Sequence, residues 1–172
     1  AVGNRVSLTD SAGHTTQYTY TPRNQVSTLT DFSSGSYSFR YDMLGRRTGF
    51  APPNGVTTNY AYDAASRLTR MESVKDANDV LVQFVYSYDA RGNRVSKEDT
   101  KMTASYDYDP LSQLTNEMQV KLGGKEKKNL MEQYAYDPVG NRLVGPKRQE
   151  YAYNSASGLL RVDEKVFTYD GT

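Results

Sequence analysis

The sequence predicts an all-β protein of tandem β-hairpins, and three repeated features of the chain favour this fold class. An aromatic residue followed two positions later by tyrosine occurs eight times in 172 residues. A turn signature, aspartate with glycine or serine three residues later, directly follows five of these motifs. A second turn signature lies about half a repeat earlier. Each repeat of about 21 residues therefore contains two turns and two short strands, which is typical of an antiparallel meander.

The aromatic motif predicts one strand in each repeat. Strand side chains alternate between faces, so two rings spaced two residues apart share a face. A helical stripe would need spacings of three and four, which the motif lacks. Phe39 and Phe167 take the first place in two copies. The tyrosines of the motif are Tyr18, Tyr20, Tyr41, Tyr60, Tyr62, Tyr86, Tyr88, Tyr106, Tyr108, Tyr134, Tyr136, Tyr151, Tyr153 and Tyr169.

The turn after each aromatic motif joins this strand to the next one. A type I turn favours aspartate first and glycine fourth, because the carboxylate accepts backbone N–H groups and glycine tolerates a positive φ. Two copies, beginning at Thr21 and Asn154, lack the aspartate, and we expect their turns to be less regular. The turn residues of the regular copies are Asp42 with Gly45, Asp63, Asp89 with Gly92, Asp109, and Asp137 with Gly140.

The other end of each hairpin carries the second turn. Residues 10–13 and 31–35 show it as aspartate followed by glycine, and residues 53–55 are the third copy. Two repeats are longer than the others. The polar residues 72–79 predict an extended hairpin tip, and the lysine- and glycine-rich residues 121–129 predict a long loop.

Residues 112–133 allow two interpretations. Met118, Val120 and Leu122 alternate with polar residues, which favours a strand that runs into the long loop. A helix across the whole segment is the alternative.

The predicted strands number about 15, which is too many for a flat open sheet. Only 37% of the residues are hydrophobic, tyrosine included, so we expect a curved single layer rather than a two-sheet sandwich. The tyrosines would pack ring on ring in rows, each repeat supporting the next, as in solenoids. Both ends of the sequence fall inside a repeat. Residues 1–172, with about eight repeats, are therefore expected to be one segment of a longer array, whose open strand edges favour self-association.

Residues 60–68, 86–94 and 134–143 carry the full motif of two tyrosines, an aspartate turn and an arginine. They resemble the YD repeats of the Rhs family, which includes bacterial Rhs toxins, the C component of insecticidal toxin complexes, Gram-positive wall-associated proteins and animal teneurins. The resemblance covers the whole chain. It implies β-hairpins coiled into a hollow β-shell, which in the toxins encloses a C-terminal effector. It carries over no catalytic residue, because the acidic cleavage region that follows the repeats of the toxins has no counterpart in this sequence.

Composition and charge exclude several classes of site. The chain has no cysteine and one histidine, His14, which excludes a disulfide framework, a zinc finger and a thiol nucleophile. We expect no cofactor and no metal. A net charge of +1 argues against nucleic acid as a partner, and no apolar run reaches the roughly 20 residues of a membrane span.

A few side chains invite a functional interpretation. Asp107 and Asp109 could be paired catalytic carboxylates, but Asp109 opens a predicted turn. The turn aspartates could bind calcium, but one carboxylate per turn is too sparse for that ion. The tyrosine rings could stack on sugars, although packing between strands is the favoured interpretation. A basic loop could bind an anionic surface, although solvent exposure is favoured. Its lysines are Lys121, Lys125, Lys127 and Lys128.

The leading hypothesis is a non-enzymatic structural segment of a secreted or surface-displayed protein. The repeats would build the wall of a shell around a toxin or effector domain of the same polypeptide, with neighbouring repeats as their immediate partners. The alternative is an adhesion module that binds carbohydrate or a partner protein at the cell surface.

Overall fold

The computed structural model describes residues 3–75, 79–123 and 129–169, and within them the protein is all-β. The regular elements are seventeen strands and one 3-10 turn, at Pro146–Arg148. The strands are β1 (Ser7–Thr9), β2 (Thr15–Tyr20), β3 (Val26–Thr30), β4 (Ser36–Tyr41), β5 (Arg47–Ala51), β6 (Thr57–Tyr62), β7 (Leu68–Val74), β8 (Val80–Tyr88), β9 (Arg94–Asp99), β10 (Met102–Tyr108), β11 (Leu114–Lys121), β12 (Asn129–Gln133), β13 (Ala135–Tyr136), β14 (Arg142–Val144), β15 (Tyr151–Tyr153), β16 (Leu159–Val162) and β17 (Lys165–Val166).

The chain divides into two compact units, Ala1–Val85 and Tyr86–Thr172. In the first unit, β1 to β7 pair antiparallel with their neighbours in chain order, and β7 pairs with β8. In the second unit, β9 to β12 form the same kind of meander, followed by the hairpin of β13 and β14 and the three strands β15, β16 and β17. The predicted all-β fold of tandem hairpins is therefore confirmed.

A β-bulge marks the end of six of the eight aromatic motifs. In the hairpin of β4 and β5, Phe39 pairs with Phe50, but Tyr41 pairs with Arg47 after a shift in register. The bulge follows from a type I turn that ends in a left-handed residue, which adds one residue to one strand. The same pairing of the second tyrosine with the residue six positions later recurs at Tyr20, Tyr41, Tyr62, Tyr108, Tyr136 and Tyr153.

The described residues bury little apolar surface. Ala104, which is 1% exposed, is the only fully buried apolar residue among them. In β2, β4, β6 and β10 the rings of the aromatic motif are half-buried, whereas the residue between them is exposed. This alternation places the two aromatic rings of a motif on one face of the strand, as the spacing predicts.

The structure shows which elements the two longer repeats contain. Residues 112–133 contain the strands β11 and β12, so the alternative of a helix there is wrong. The predicted hairpin extension is formed by β7 and β8, where the Lys75 N–H donates to the Asp79 carbonyl (3.0 Å). The tip residues 76–78 and the basic loop at 124–128, with Lys125, Lys127 and Lys128, lie outside the described residues. No helix in the described part is long and apolar enough to cross a membrane.

Candidate functional site

The most regular feature of the structure is the turn that follows each aromatic motif, here called the motif turn. In the turn at Asp42, the Gly45 N–H donates to the Asp42 carbonyl (3.0 Å) and the Asp42 N–H donates to the Arg46 carbonyl (3.0 Å). Oδ1 of Asp42 accepts the N–H groups of Leu44 (2.9 Å) and Arg46 (3.0 Å). The side chain and the backbone therefore close the same short loop.

This hydrogen-bond pattern repeats along the chain. In each regular motif turn, Oδ1 accepts the N–H of the residue four positions later, at distances of 2.8–2.9 Å. The carboxylates in this position are those of Asp63, Asp89, Asp109 and Asp137. Among the described residues, no three histidine, cysteine, aspartate or glutamate side chains are grouped so that they could hold a metal ion.

The two motif turns without aspartate are as regular in their backbone as the others, so the expectation of irregular turns there is wrong. Asn154 accepts the N–H groups of Ala156 (3.0 Å) and Gly158 (2.7 Å) through Oδ1. Thr21 accepts the N–H groups two and four residues later through Oγ1, at the longer distances of 3.3 and 3.2 Å. An amide or hydroxyl oxygen therefore replaces the carboxylate oxygen as acceptor.

The fourth residue of every motif turn has a positive φ, whether or not it is glycine. Gly45, Gly92 and Gly140 have φ values of 81°, 93° and 90°. Serine or asparagine takes this position in the remaining turns, at Asn24 (62°), Ser66 (64°), Ser112 (63°) and Ser157 (61°). The left-handed conformation costs roughly 1–2 kcal/mol for a residue with a Cβ atom, so these residues need a compensating contact.

One turn at the other end of the hairpins differs from the sequence prediction. Ser34, not Gly35, has the positive φ, at 67°. Gly35 is needed for another reason, since a Cβ atom there would lie 2.6 Å from Oδ2 of Asp31. The glycine signature at residues 31–35 thus reflects the close approach of the aspartate side chain.

Hydrogen bonds hold the pKa values of the Asp63 and Asp89 carboxyl groups below the ordinary range. For Asp89 the largest cause is the side-chain N–H of Asn93, and for Asp63 it is the backbone N–H of Arg67. Desolvation opposes both shifts. Donors to the ionised form favour that form, so these carboxylates are charged wherever the protein is near neutral pH.

The second tyrosine of the motif joins one repeat to the preceding one. The Tyr41 hydroxyl donates to the Val26 carbonyl (3.0 Å), and the Tyr62 hydroxyl donates to the Arg47 carbonyl (2.9 Å). In both cases the acceptor is the residue that pairs with the second tyrosine of the preceding repeat. The same bond is made by Tyr20 to Arg5 (2.6 Å) and by Tyr108 to Arg94 (2.9 Å).

The first tyrosine of the motif contacts an arginine. The Arg94 guanidinium lies 5.6 Å from the ring centroid of Tyr86 and 5.1 Å from that of Tyr106. Arg47 lies 5.0 Å from the Tyr60 ring, and Arg142 lies 5.3 Å from the Tyr134 ring. The expected ring-on-ring rows are thus replaced at these positions by cation–π contacts with the arginine of the motif.

Two further tyrosines of the motif make other hydrogen bonds. The Tyr18 N–H donates to the Val6 carbonyl (2.9 Å), and the Tyr151 hydroxyl donates to the side chain of Gln149 (3.2 Å). Tyr88, Tyr136 and Tyr153 are half-buried at the ends of their strands. The motif residues therefore come together as successive neighbours along each unit and do not converge on one point.

Asp107 and Asp109 do not form a catalytic pair. Oδ1 of Asp109 accepts the N–H groups of Leu111 (2.9 Å) and Gln113 (2.8 Å), which commits this carboxylate to its turn. Asp107 is exposed on β10 and accepts a long hydrogen bond from Asn116 (3.4 Å). Both line a shallow pocket of 290 Å³, smaller than the usual ligand site.

The sequence reasoning assigned no role to two residues of each motif. The residue four positions after the turn aspartate, such as Arg46 or Asn93, bonds to the aspartate side chain and to the next motif turn. The residue after it, such as Arg94, lies on the tyrosine rings. The repeated sequence Gly-Asn-Arg was the available signal, but its contacts cross from one repeat to the next and spacing alone does not reveal them.

Comparison with known proteins gives one family model and a small group of relatives. Residues 41–78 match the RHS repeat. The chain is 29% identical over 164 residues to the tRNA nuclease WapA of Bacillus subtilis (strain 168), and 28% identical over 164 residues to the tRNA3(Ser)-specific nuclease WapA of Bacillus spizizenii. Each match covers 91% of this chain but only 7% of the relative, so the chain spans a small part of the proteins it matches.

A solved structure shares the fold. The crystal structure of TcdB2-TccC3-TEV matches all of this chain with a TM-score of 0.51 and 16% sequence identity, and the match covers 12% of the other chain. At this identity the likeness concerns the fold only. The architecture of antiparallel hairpins described above is therefore one that also occurs within a toxin-complex protein.

Proposed function

We propose that the chain, whose residues 41–78 match the RHS repeat and whose fold also occurs in TcdB2-TccC3-TEV, forms part of the wall of a β-shell that encloses an effector domain of the same polypeptide. The proposal depends on one observation above all. The groups that recur in the motif contact the neighbouring repeat. The tyrosine hydroxyl, the arginine and the side chain that follows the turn all make contacts of this kind. Such a chain is suited to extending a wall.

The distribution of burial supports the same proposal. A catalytic domain needs a deep pocket and groups with free reactive atoms. Here the described part of the chain buries one apolar residue fully, and its turn carboxylates are occupied by backbone N–H groups. We therefore assign this segment a structural role without catalysis of its own.

The matched relatives suggest the kind of cargo. Both are named as nucleases that act on tRNA, and this chain corresponds to a small part of each. We propose that the longer polypeptide carries a toxic effector, with RNA cleavage as the first activity to test, and that the protein is secreted or displayed at the cell surface. Its partners would then be that effector and the neighbouring repeats.

The adhesion alternative receives less support from the tyrosine rings. A sugar needs a free aromatic face for stacking, whereas a guanidinium group lies over the rings of Tyr60, Tyr86, Tyr106 and Tyr134. The motif rings are also half-buried in their strands. Carbohydrate binding is therefore not the function proposed for this segment.

Protease protection in the full-length polypeptide tests the proposal. We expect the effector to resist digestion in the native protein and to be digested once urea has unfolded the repeats. Asp63→Ala removes a carboxylate that closes a motif turn, and it should accelerate the loss of protection. Asp107→Ala is the matched control, because Asp107 lies exposed outside the turns. An effector that is digested equally fast in the native protein would contradict the proposal.

A further inference from the structure

Three motif turns place serine where glycine would cost less. Ser66, Ser112 and Ser157 all have a φ near +60°, a conformation in which a Cβ atom is unfavourable. The equivalent position in three other motif turns is glycine, at Gly45, Gly92 and Gly140. The two classes of turn differ in what the preceding repeat brings to them.

The turns with serine receive a hydrogen bond on the serine hydroxyl. Asn93 Nδ2 donates to Asp89 in its own turn (2.9 Å) and to Ser112 Oγ in the next turn (3.1 Å). Asn141 Nδ2 does the same, to Asp137 (2.8 Å) and to Ser157 Oγ (3.1 Å).

Arginine makes an equivalent link in the first unit. Arg46 Nε donates to Asp42 (2.6 Å), and its Nη1 donates to Ser66 Oγ (3.2 Å) and to the Asp63 carbonyl (2.9 Å). The guanidinium also lies 4.9 Å from the Tyr62 ring centroid. An asparagine amide or an arginine guanidinium thus bonds to the side chain at the left-handed position.

Two of the turns with glycine face a glutamine amide. Gln25 Nε2 donates to the Gly45 carbonyl (2.8 Å), and a Cβ atom on Gly45 would lie 3.2 Å from that nitrogen. A Cβ atom on Gly140 would likewise lie 3.2 Å from Gln113 Nε2. The glutamine amide therefore occupies the space that a side chain at this position would need.

An asparagine pair completes the series. Asn4 Nδ2 donates to Oδ1 of Asn24, which has a φ of 62° (3.0 Å). Asparagine supplies an acceptor oxygen and also tolerates the left-handed conformation well. It is therefore chemically equivalent to serine in this link.

We propose that these residue pairs act as a pairing code that determines which hairpin can follow which. Asparagine after one motif turn requires a side-chain acceptor, serine or asparagine, at the left-handed position of the next turn, whereas arginine precedes serine at Ser66 and glycine at Gly92 and does not select between them. Glutamine requires glycine there. The code sets the register between successive hairpins, and it does not depend on what the proposed wall encloses.

A double-mutant cycle in the whole chain tests the code at one link. Asn93→Ala and Ser112→Gly should couple by about five-fold in the equilibrium constant for unfolding, as expected for one hydrogen bond. Asn93→Ala with Ser157→Gly is the matched control, since Ser157 bonds to Asn141 instead, and this pair should be additive within about two-fold. Equal coupling in the two pairs, or none in the first, would overturn the proposal.

Exchanging the asparagine–serine pair of one link for a glutamine–glycine pair gives a second test. A general loss of stability would not produce the expected result. Asn93→Gln alone should raise the equilibrium constant for unfolding by about five-fold, because the glutamine amide meets the Ser112 side chain. Adding Ser112→Gly creates the pair seen at Gln25 and Gly45, and it should restore the unfolding constant to within about two-fold of the original.

The readouts are urea unfolding by circular dichroism and hydrogen exchange of the Ser112 N–H, which donates to the Asp109 carbonyl (3.0 Å). If the Asn93→Gln variant fails to fold and the double variant with Ser112→Gly folds, the result supports the code. A double variant that is no more stable than Asn93→Gln, or that also fails to fold, would overturn it.

Discussion

Replacing Tyr62 with phenylalanine isolates the bond by which the second tyrosine joins two repeats. The variant keeps the ring and its contact with Arg46, and it removes only the hydroxyl that donates to the Arg47 carbonyl at 2.9 Å. A hydrogen bond of this kind contributes about 1 kcal/mol net. We therefore expect Tyr62→Phe to destabilise the fold by about 1 kcal/mol.

Tyr60→Phe is the matched control for this prediction. Tyr60 belongs to the same motif and its ring contacts Arg47, but no hydrogen bond of its hydroxyl is seen within the described residues. We expect this variant to change the free energy of unfolding by less than about 0.5 kcal/mol.

Urea unfolding followed by circular dichroism measures the difference. With a slope of about 1–3 kcal/mol/M, Tyr62→Phe should lower the midpoint by about 0.3–1 M without changing the slope. Hydrogen exchange should rise in the hairpin of β5 and β6 before it rises elsewhere in the first unit. If the two variants lower the midpoint equally, the hydroxyl bond does not join the repeats and the reasoning is refuted.

Three further predictions concern the arginine, the turn carboxylate and the left-handed position. Arg94→Gln should raise the pKa of Tyr106 further above its ordinary value, because burial already raises it and Arg94 is the cation that lowers it; NMR titration of the ring measures this. Asp89→Asn should make stability less dependent on acid. Because the pKa of Asp89 is lower in the folded protein than the value of about 4 in the unfolded chain, its carboxylate stabilises the fold above that pH, and this stabilisation is lost as the pH falls through the folded pKa. The amide of the variant does not titrate and has no such loss. Urea midpoints at neutral pH and at about pH 3 compare the variant with the original chain. Gly55→Ala should lower the free energy of unfolding by about 1 kcal/mol, because its φ is 78° and nothing else lies within 4 Å of the new Cβ; Gly55→Asn should cost less.

Each of these predictions has a result that would contradict it. An unchanged Tyr106 titration in Arg94→Gln would mean that the cation–π geometry does not persist in solution. An equal loss of stability with acid in Asp89→Asn and the original chain would place the acid-sensitive groups elsewhere. Equal effects of alanine and asparagine at Gly55 would show that positive φ is not what selects glycine there.

The local parts of this structure could be predicted from the sequence. The spacing of Tyr60 and Tyr62, followed by Asp63, specifies a strand and a turn within a few residues, and the physics of both is local. The all-β meander followed from repeating that unit. The turn at Asn154 was judged wrongly, because an amide oxygen serves as well as a carboxylate when only N–H acceptance is required.

The contacts between repeats could not be predicted in the same way. The bond from Tyr62 to Arg47 and the bond from Arg46 to Ser66 each join residues 15 or 20 positions apart. Their existence depends on the register between hairpins, which the bulge at each motif shifts by one residue. A sequence read without an alignment carries no direct signal for such pairs, so arginine was not expected on the tyrosine rings.

The links between motif turns also make the two ends of the hairpins different from each other. Both of the longer repeats add their extra residues at the end away from the motif turns, between β7 and β8 and between β11 and β12. Lengthening a loop costs little free energy, since the entropic term grows only with the logarithm of its length. Within each unit, the hairpin ends at the motif turns are thus linked to one another, while the opposite margin is open to insertion. Variation and engineered inserts should therefore accumulate along that second margin, leaving the stacking of hairpins untouched.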